Sequence, residues 1–555
     1  MAEEPGSGTA TTGAVTLPLA SRPAVPNPPG RAVGWSATAA IAASILLMFA
    51  VSAAGPSAVV PALPQTWPAP PWWLPLHLSS RSAEAATVAA IILGALGVGC
   101  GLVAVRRGAR PPARLLLAAG LTAIAVFTVL PPAGSSDSLS YAAYGRIAVI
   151  GRSPYLMTPA QLRASGDAIG RQTTRNWQDS PSLYGPLATG TEWVAAKLGG
   201  TSIDLIIFWL KVWLALAFGA VAVALDRLLR AEPAARARAH LLWTLNPLML
   251  WAVMAGAHVD GLAAGLGFLG LIVARQQLKT LRALAAGLLI GLAAAVKLPF
   301  ALFGIGFAWA ARRSVPALVA AAAGAGLVLV VGYLITGPAA LSDLRADGSR
   351  VALDSLWRVF YGFGSRPGWV IPAAALAWVL LAALLAWRLP PGSAGRPAIR
   401  PALAVSVAWL LIWPMQRAWY DAMAFCLLAA FPASRLDWLL LARSVPATLD
   451  MITAATWRPA AHRAHAALHG AGRAHPRASS WPHAVAVQIG RLLIPEARLA
   501  AVIAAVALCL TGAWGLWQPP PAERIGPVRP SRAAPPGRCP ERGIDHNGLK
   551  QDGVP

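Results

Sequence analysis

Asp137, Tyr141, Tyr144 and Arg146 fall in the run Ser135-Ser136-Asp137-Ser138-Leu139-Ser140-Tyr141-Ala142-Ala143-Tyr144-Gly145-Arg146. The steps of four and three residues from Asp137 to Tyr141 and Tyr144 place a carboxylate and two phenols on one face of a helix. A carboxylate so placed can serve as a general base, and the neighbouring aromatics suit a sugar or a lipid headgroup. The same aspartate has an ordinary use as the cap of that helix. Tyr155, in Gly151-Arg152-Ser153-Pro154-Tyr155, and Tyr184, in Ser180-Pro181-Ser182-Leu183-Tyr184-Gly185-Pro186-Leu187, are aromatics set among turn residues. The turn Gly256-Ala257-His258-Val259-Asp260-Gly261 adds an imidazole and a second carboxylate. Lys297 stands between an apolar run and Pro299, where it can also simply snorkel to an interface. Gln416, Arg417, Trp419 and Tyr420 crowd together before Asp421, and as an aromatic belt that would be unexceptional. Taken jointly, a carboxylate, the cations Arg146, Lys297 and Arg417, and several aromatics are the parts needed to transfer a group from a lipid-phosphate carrier. The base takes the acceptor's proton while the cations hold the leaving phosphate.

A membrane-spanning helical bundle must position these residues. The chain of 555 residues is 56% hydrophobic and only 12% charged, with mean hydropathy +0.57, against about 25% charged in soluble proteins. Its net charge of +24 sits largely in short loops between apolar runs, so it reports topology and not nucleic-acid binding. Cys100, Cys426, Cys509 and Cys539 are far apart and form no zinc or disulfide pattern. Residues 1–32 read as a disordered cytoplasmic tail, and the run Val33 to Ala54 as an uncleaved anchor. Uncharged runs recur at 85–105, 115–130, 314–336, 367–387, 401–414 and 499–517, with one interrupted by Lys211 at 205–225. Four shorter runs lie at 241–257, 261–274, 283–296 and 298–311. With the basic loops around Arg106, Arg227 to Arg238, Lys279, Arg312 and Arg388 to Arg400 kept inside, the count is about thirteen spans, the last at 499–517. Segments 131–202, 256–260, 337–366 and 415–421 then face out, and all the candidate residues gather on that side. The core is thus expected at 33–434. Residues 435–498, rich in Arg and His, read as a basic cytoplasmic loop with surface-lying helices, and 518–555 as a disordered tail.

Several of these words resemble those of a known family. Asp137-Ser-Leu-Ser-Tyr141-Ala-Ala-Tyr144-Gly145-Arg146, Gly151-Arg-Ser-Pro154-Tyr155 and Tyr184-Gly185-Pro186-Leu187 are similar to the first outer loop of the actinobacterial polyprenyl-phosphomannose-dependent α-(1→6)-mannosyltransferases, which have the GT-C fold. Asn246-Pro247-Leu248, Gly256-Ala257-His258-Val259-Asp260 and Ala294-Ala295-Val296-Lys297-Leu298-Pro299 look like that family's next landmarks, and the likeness runs from about residue 110 to residue 430. The resemblance implies a polyprenyl-phosphate-mannose donor used on the extracytoplasmic face of the plasma membrane, a lipomannan-type glycolipid acceptor, and inversion at the anomeric carbon. It implies Asp137 as catalytic base, with His258, Asp260 and Lys297 in the donor or acceptor site. Two features depart from it: Val259 stands where family members often carry Asn, and the stretch 435–498 is unfamiliar.

No cofactor is expected, because the chain has no Asp-x-Asp pair to clamp a divalent ion, although one aspartate with phosphate oxygens can hold Mg2+ or Mn2+. A flippase or transporter for a polyprenyl-linked sugar is the rival, as is a GT-C enzyme using another polyprenyl-phosphate sugar. Transport predicts internal repeats and charges near the midplane; no repeat is evident, and Lys211 is the clear charge inside a run.

Overall fold

The computed structural model describes residues 30–64, 69–173, 177–273, 279–341, 357, 368–391 and 396–452. The chain divides into two units, Met1–Ala505 and Val506–Pro555, and every described residue belongs to the first. Residues 1–29 of the expected N-terminal tail, the expected C-terminal tail, the expected span 499–517 and most of the segment 337–366 lie outside the described residues, while 30–32, expected in the tail, already belong to the helix Gly30–Ala53.

Every regular element among the described residues is a helix. Five are long and apolar enough to cross a bilayer: Val33–Ala53, Ser80–Arg106, Ile203–Leu228, Val315–Thr336 and Val370–Arg388. Lipid as solvent explains the last two. Val315–Thr336 carries no charge and leaves Val319, Leu327, Val330, Leu334 and Ile335 exposed, and Val370–Arg388 exposes Leu376, Val379, Leu380 and Leu384. In water such surfaces would drive aggregation; in hydrocarbon they cost nothing, and a helix satisfies its own backbone there. The protein is a helical membrane protein.

Among the described residues the expected count of about thirteen spans is not confirmed, since several of the runs form short or bent helices. The runs 241–257 and 261–274 are two arms of one unit, Pro233–Ala255 and Asp260–Val273, bent by 118° at the break between them. Ala113–Val129, Thr280–Val296, Leu298–Ala311, Ile399–Ile412 and Ala418–Ala430 are apolar but have 13–17 residues, a rise of only about 20–25 Å.

The stretch 435–498 also requires correction at its start. Residues 436–452 are helical, and they are packed into the bundle, not laid on its surface. Leu436, Leu440, Leu441, Ser444, Ala447, Thr448 and Met451 are buried at the three- and four-residue steps of a core-facing stripe. The abundance of Arg and His farther along, in residues outside the described set, had masked this stripe.

Two ends of the bundle can be told apart by their polar contacts. At one, Arg238 donates through Nε to Asp437 Oδ2 (2.8 Å) and through Nη1 to Phe431 O (2.8 Å), while Arg106 lies 3.5 Å from the same carboxylate. Arg396 joins this end, donating to Ala430 O and to Glu232. Three of the basic loops expected on one side thus do meet. The helix Asp421–Ala430 runs from the opposite end to this one, and the candidate residues cluster around its start.

Two glycines let the backbone close around that cluster. A Cβ on Gly145 would collide with the Glu192 carbonyl, so the helix Asp137–Val149 can lie directly on Pro186–Gly199 only with glycine there. Gly185 similarly abuts Ala295, and its N–H donates to Val296 O at 3.0 Å, which brings Tyr184 beside Lys297.

Candidate active site

Asp137 opens the helix Asp137–Val149, with its N–H donating to Ser135 Oγ at 3.2 Å. Its side chain is not spent on capping. The carboxylate turns into a narrow cleft, where Trp177 Nε1 donates to Oδ1 at 3.0 Å. Burial pushes the Asp137 carboxyl above the ordinary aspartate value, opposed by the charges of Arg417 and Lys297 and by the Trp177 hydrogen bond. A base that holds its proton more tightly than a free aspartate is better matched to a weakly acidic hydroxyl.

Tyr141 and Tyr144 share the face of Asp137 and line the same cleft. The Tyr141 hydroxyl is 3.1 Å from that of Tyr184 and 3.4 Å from His258 Nδ1, while Tyr144 donates to Ser180 O at 2.9 Å and so ties the helix to the loop that follows.

His258 owes its position to the bent unit. The backbone preceding it is wound in wide turns, with Gly256 N–H donating to Trp251 O and His258 N–H to Val253 O, and Ala257 is forced to φ +56°. A left-handed alanine is strained and persists only where its surroundings fix it. Here it points the imidazole inward, stacked on Trp419 with centroids 3.5 Å apart and Nδ1 at 3.8 Å from Asp137 Oδ2. Asp260, fully buried, starts the next helix.

Lys297 comes from a third element. The helix Thr280–Val296 stops before Pro299, and Lys297 takes extended backbone angles, φ −156° and ψ 123°. Its ammonium donates to both Asp260 oxygens at 3.1 Å and lies over the rings of Tyr420 (4.2 Å) and Tyr184 (5.4 Å). The segment 415–420 closes the cleft with Met415, Arg417, Trp419 and Tyr420, and Arg417 stands 3.5 Å from Asp450.

The structure therefore brings Asp137, Tyr141, Tyr144, Tyr184, Lys297, Arg417, Trp419 and Tyr420 to one cleft, with His258 and Asp260 packed directly behind its wall. Three residues expected in the site are engaged elsewhere. Arg146 donates to Asp167 at 2.8 Å, because nine residues after Asp137 is two and a half helical turns and hence the opposite face. Tyr155 is buried with its hydroxyl 2.8 Å from Thr189 Oγ1. Gln416 donates to the carbonyls of Trp409 and Trp413, finishing the helix Ile399–Ile412. Residues missed by sequence reasoning are Trp177, Arg443 and Asp450. The last two come from the helix 436–452, whose apolar stripe was the available signal.

Among the described residues no three of His, Cys, Asp and Glu converge in a metal-binding set. A single aspartate facing two cations across aromatic walls is an arrangement that can deprotonate a hydroxyl and hold an anion.

A family model described as "Alpha-(1->6)-mannopyranosyltransferase, N-terminal domain" matches residues 38–313. Those residues belong to this family. A "Probable alpha-(1->6)-mannopyranosyltransferase" of Mycolicibacterium smegmatis is 30% identical over 142 residues, 26% of this chain and 25% of that protein. An alpha-(1->6)-mannopyranosyltransferase of Mycobacterium tuberculosis is 31% identical over 152 residues, covering 26% of this chain and 24% of that protein. One of Corynebacterium glutamicum is 27% identical over 151 residues, covering 27% and 25%. The chain spans about a quarter of the length of the curated relatives it matches. No solved structure matches it. The alpha-(1->6)-mannopyranosyltransferase N-terminal domain contains Asp137, Tyr184, His258, Asp260 and Lys297; Arg417, Trp419, Tyr420 and Asp450, which complete the site, lie beyond it.

Proposed function

We propose that this chain is a GT-C membrane mannosyltransferase that takes mannose from polyprenyl-phosphate-mannose and adds it in α-(1→6) linkage to a lipomannan-type glycolipid. The site is read as extracytoplasmic, in the plasma membrane, opposite the end where Arg106, Arg238 and Arg396 gather. The observation that carries the reading is the cleft in which the Asp137 carboxylate faces Lys297 and Arg417 between aromatic walls. The names of the relatives supply the sugar and the linkage.

On this reading, Asp137 takes the proton of an acceptor hydroxyl as its oxygen bonds to the anomeric carbon from the face opposite the phosphate. The bond between that carbon and the phosphate oxygen breaks, its electron pair stays on the phosphate, and Lys297 and Arg417 offset the growing charge. The configuration inverts. Trp177, Trp419, Tyr184 and Tyr420 offer flat faces to sugar rings and a lipid headgroup. No step requires a metal, although Asp137 and donor phosphate oxygens together could hold Mg2+ or Mn2+.

The test is transfer of radiolabelled mannose from polyprenyl-phosphate-mannose to a short α-(1→6)-mannoside, in membranes holding native chain or Asp137→Asn at matched expression. The amide preserves shape and removes the base, so transfer should fall by about 10²- to 10⁴-fold. Equal transfer by both would remove Asp137 from the mechanism.

A further inference from the structure

The two cations of the cleft differ in how firmly they are committed. Lys297 donates to both oxygens of Asp260, a fully buried carboxylate that would otherwise be left as an unpaired charge. Arg417 Nη1 approaches Asp450 Oδ2 to 3.5 Å, and both side chains are 16% exposed. Charge-assisted hydrogen bonds are shorter, about 2.7–2.9 Å. Arg417 and Asp450 therefore form a loose ion pair at the cleft wall, and the planar guanidinium keeps donors that fit a phosphate.

Asp450 is delivered there by a rigid element. Arg443 and Asp450 are seven residues apart, two turns, and so share a face of the helix 436–452. Arg443 pairs with Asp421, donates to Gln416 Oε1 at 2.9 Å and donates to Leu410 O at 3.3 Å. The far end of the same helix is held by the Arg238 pair to Asp437. Asp450 is thus fixed opposite the segment that carries Arg417.

A lipid phosphodiester carries one negative charge, whereas the phosphate monoester left after sugar transfer approaches two near neutral pH. A cation with no competing partner would hold the product more tightly than the donor. We propose that Asp450 is a positioning residue that trades places with phosphate at Arg417: the donor displaces the carboxylate, and Asp450 reclaims the guanidinium as the monoester leaves. This rests on the lipid-phosphate reading of the cleft given above. Asp450 weakens binding of the phosphate and speeds product release.

The experiment uses full-length protein in detergent micelles and farnesyl phosphate as the probe, with binding followed by tryptophan quenching and, in parallel, as inhibition of mannosyl transfer. Asp450→Asn should bind farnesyl phosphate about three- to tenfold more tightly than native, as expected for removing one partly screened charge. Its donor KM and kcat should both fall, a split that a merely structural defect does not produce. Asp450→Glu should behave as native, and the gain should vanish in Arg417→Gln/Asp450→Asn. Unchanged or weaker binding by Asp450→Asn, or a gain that survives without Arg417, overturns the exchange and leaves the donor reading standing. Failure of native and Asp450→Asn alike to bind the probe overturns the donor reading and this proposal with it.

Discussion

Lys297 holds two roles that one set of variants can separate. Its ammonium neutralises Asp260, which has no exposure to solvent, and it lines the cleft where an anion is expected to form. Lys297→Met keeps the length of the stem and removes the charge, stranding a buried carboxylate at a cost of about 3–5 kcal/mol. Against a total stability of about 5–15 kcal/mol, that loss is large and should appear as a clear drop in the thermal midpoint of the detergent-solubilised protein. Asp260→Asn/Lys297→Met removes both charges together, and because replacing a buried pair by neutral groups is often close to neutral in energy, most of the stability should return. Mannosyl transfer should not return, since the cation that offsets the leaving phosphate is still missing; a loss of about 10²- to 10³-fold is expected for one such group. Both readouts come from the same preparations. A double variant as unstable as Lys297→Met would mean that the pair is not the structural unit inferred from its two 3.1 Å contacts. A double variant that is stable and active would show that Lys297 serves the fold alone.

Other consequences follow from the same geometry. Because burial raises the Asp137 carboxyl and a base must be ionised to act, transfer should climb with pH along a limb lying above the ordinary aspartate value; Arg417→Gln, by removing a charge that lowers it, should move that limb to still higher pH, and a limb unmoved by Arg417→Gln would contradict the assignment. Transfer should persist in excess EDTA, because Lys297 and Arg417 are placed to hold the phosphate, and abolition restored by Mg2+ or Mn2+ would make the ion part of the site. Arg146→Ala should loosen the short helix Ala168–Gln172 that Asp167 caps and alter transfer far less than Tyr184→Ala, since Arg146 faces away from the cleft; equal losses would place Arg146 in the chemistry after all.

How much of this was legible in the residues depends on the range over which each signal acts. The helix Asp137–Val149 and its cleft-facing edge were readable because the periodicity is local, and the same periodicity, followed two and a half turns, would have turned Arg146 away. The stop at Lys297 was readable from Pro299. The 118° fold between Pro233–Ala255 and Asp260–Val273 was not: it depends on wide backbone turns and a left-handed Ala257, which no side-chain pattern announces. Trp177 donates to a residue forty positions earlier, and such long-range pairs have no signature in spacing. The helix 436–452 did carry a readable stripe, hidden by the charge that follows it.

That helix also bears on what the family likeness can carry. The match ends at residue 313, yet the cleft at that point has only its first wall: Asp137 with its helix, the Tyr184 loop and the Lys297 break. The second wall, Met415 to Tyr420, is held by Arg443 through Leu410, Gln416 and Asp421, and its one cation, Arg417, stands 3.5 Å from Asp450. His258 bridges the two, stacked on Trp419 from one side and 3.4 Å from the Tyr141 hydroxyl on the other. Asp137, the proposed base, and Lys297 therefore come from the segment that resembles known mannopyranosyltransferases, while Arg417 and Trp419, which stacks on the imidazole, come from residues beyond it. Differences in acceptor or donor between this chain and its relatives should accordingly trace to the 415–452 region, which closes the site and lies beyond the matched N-terminal domain.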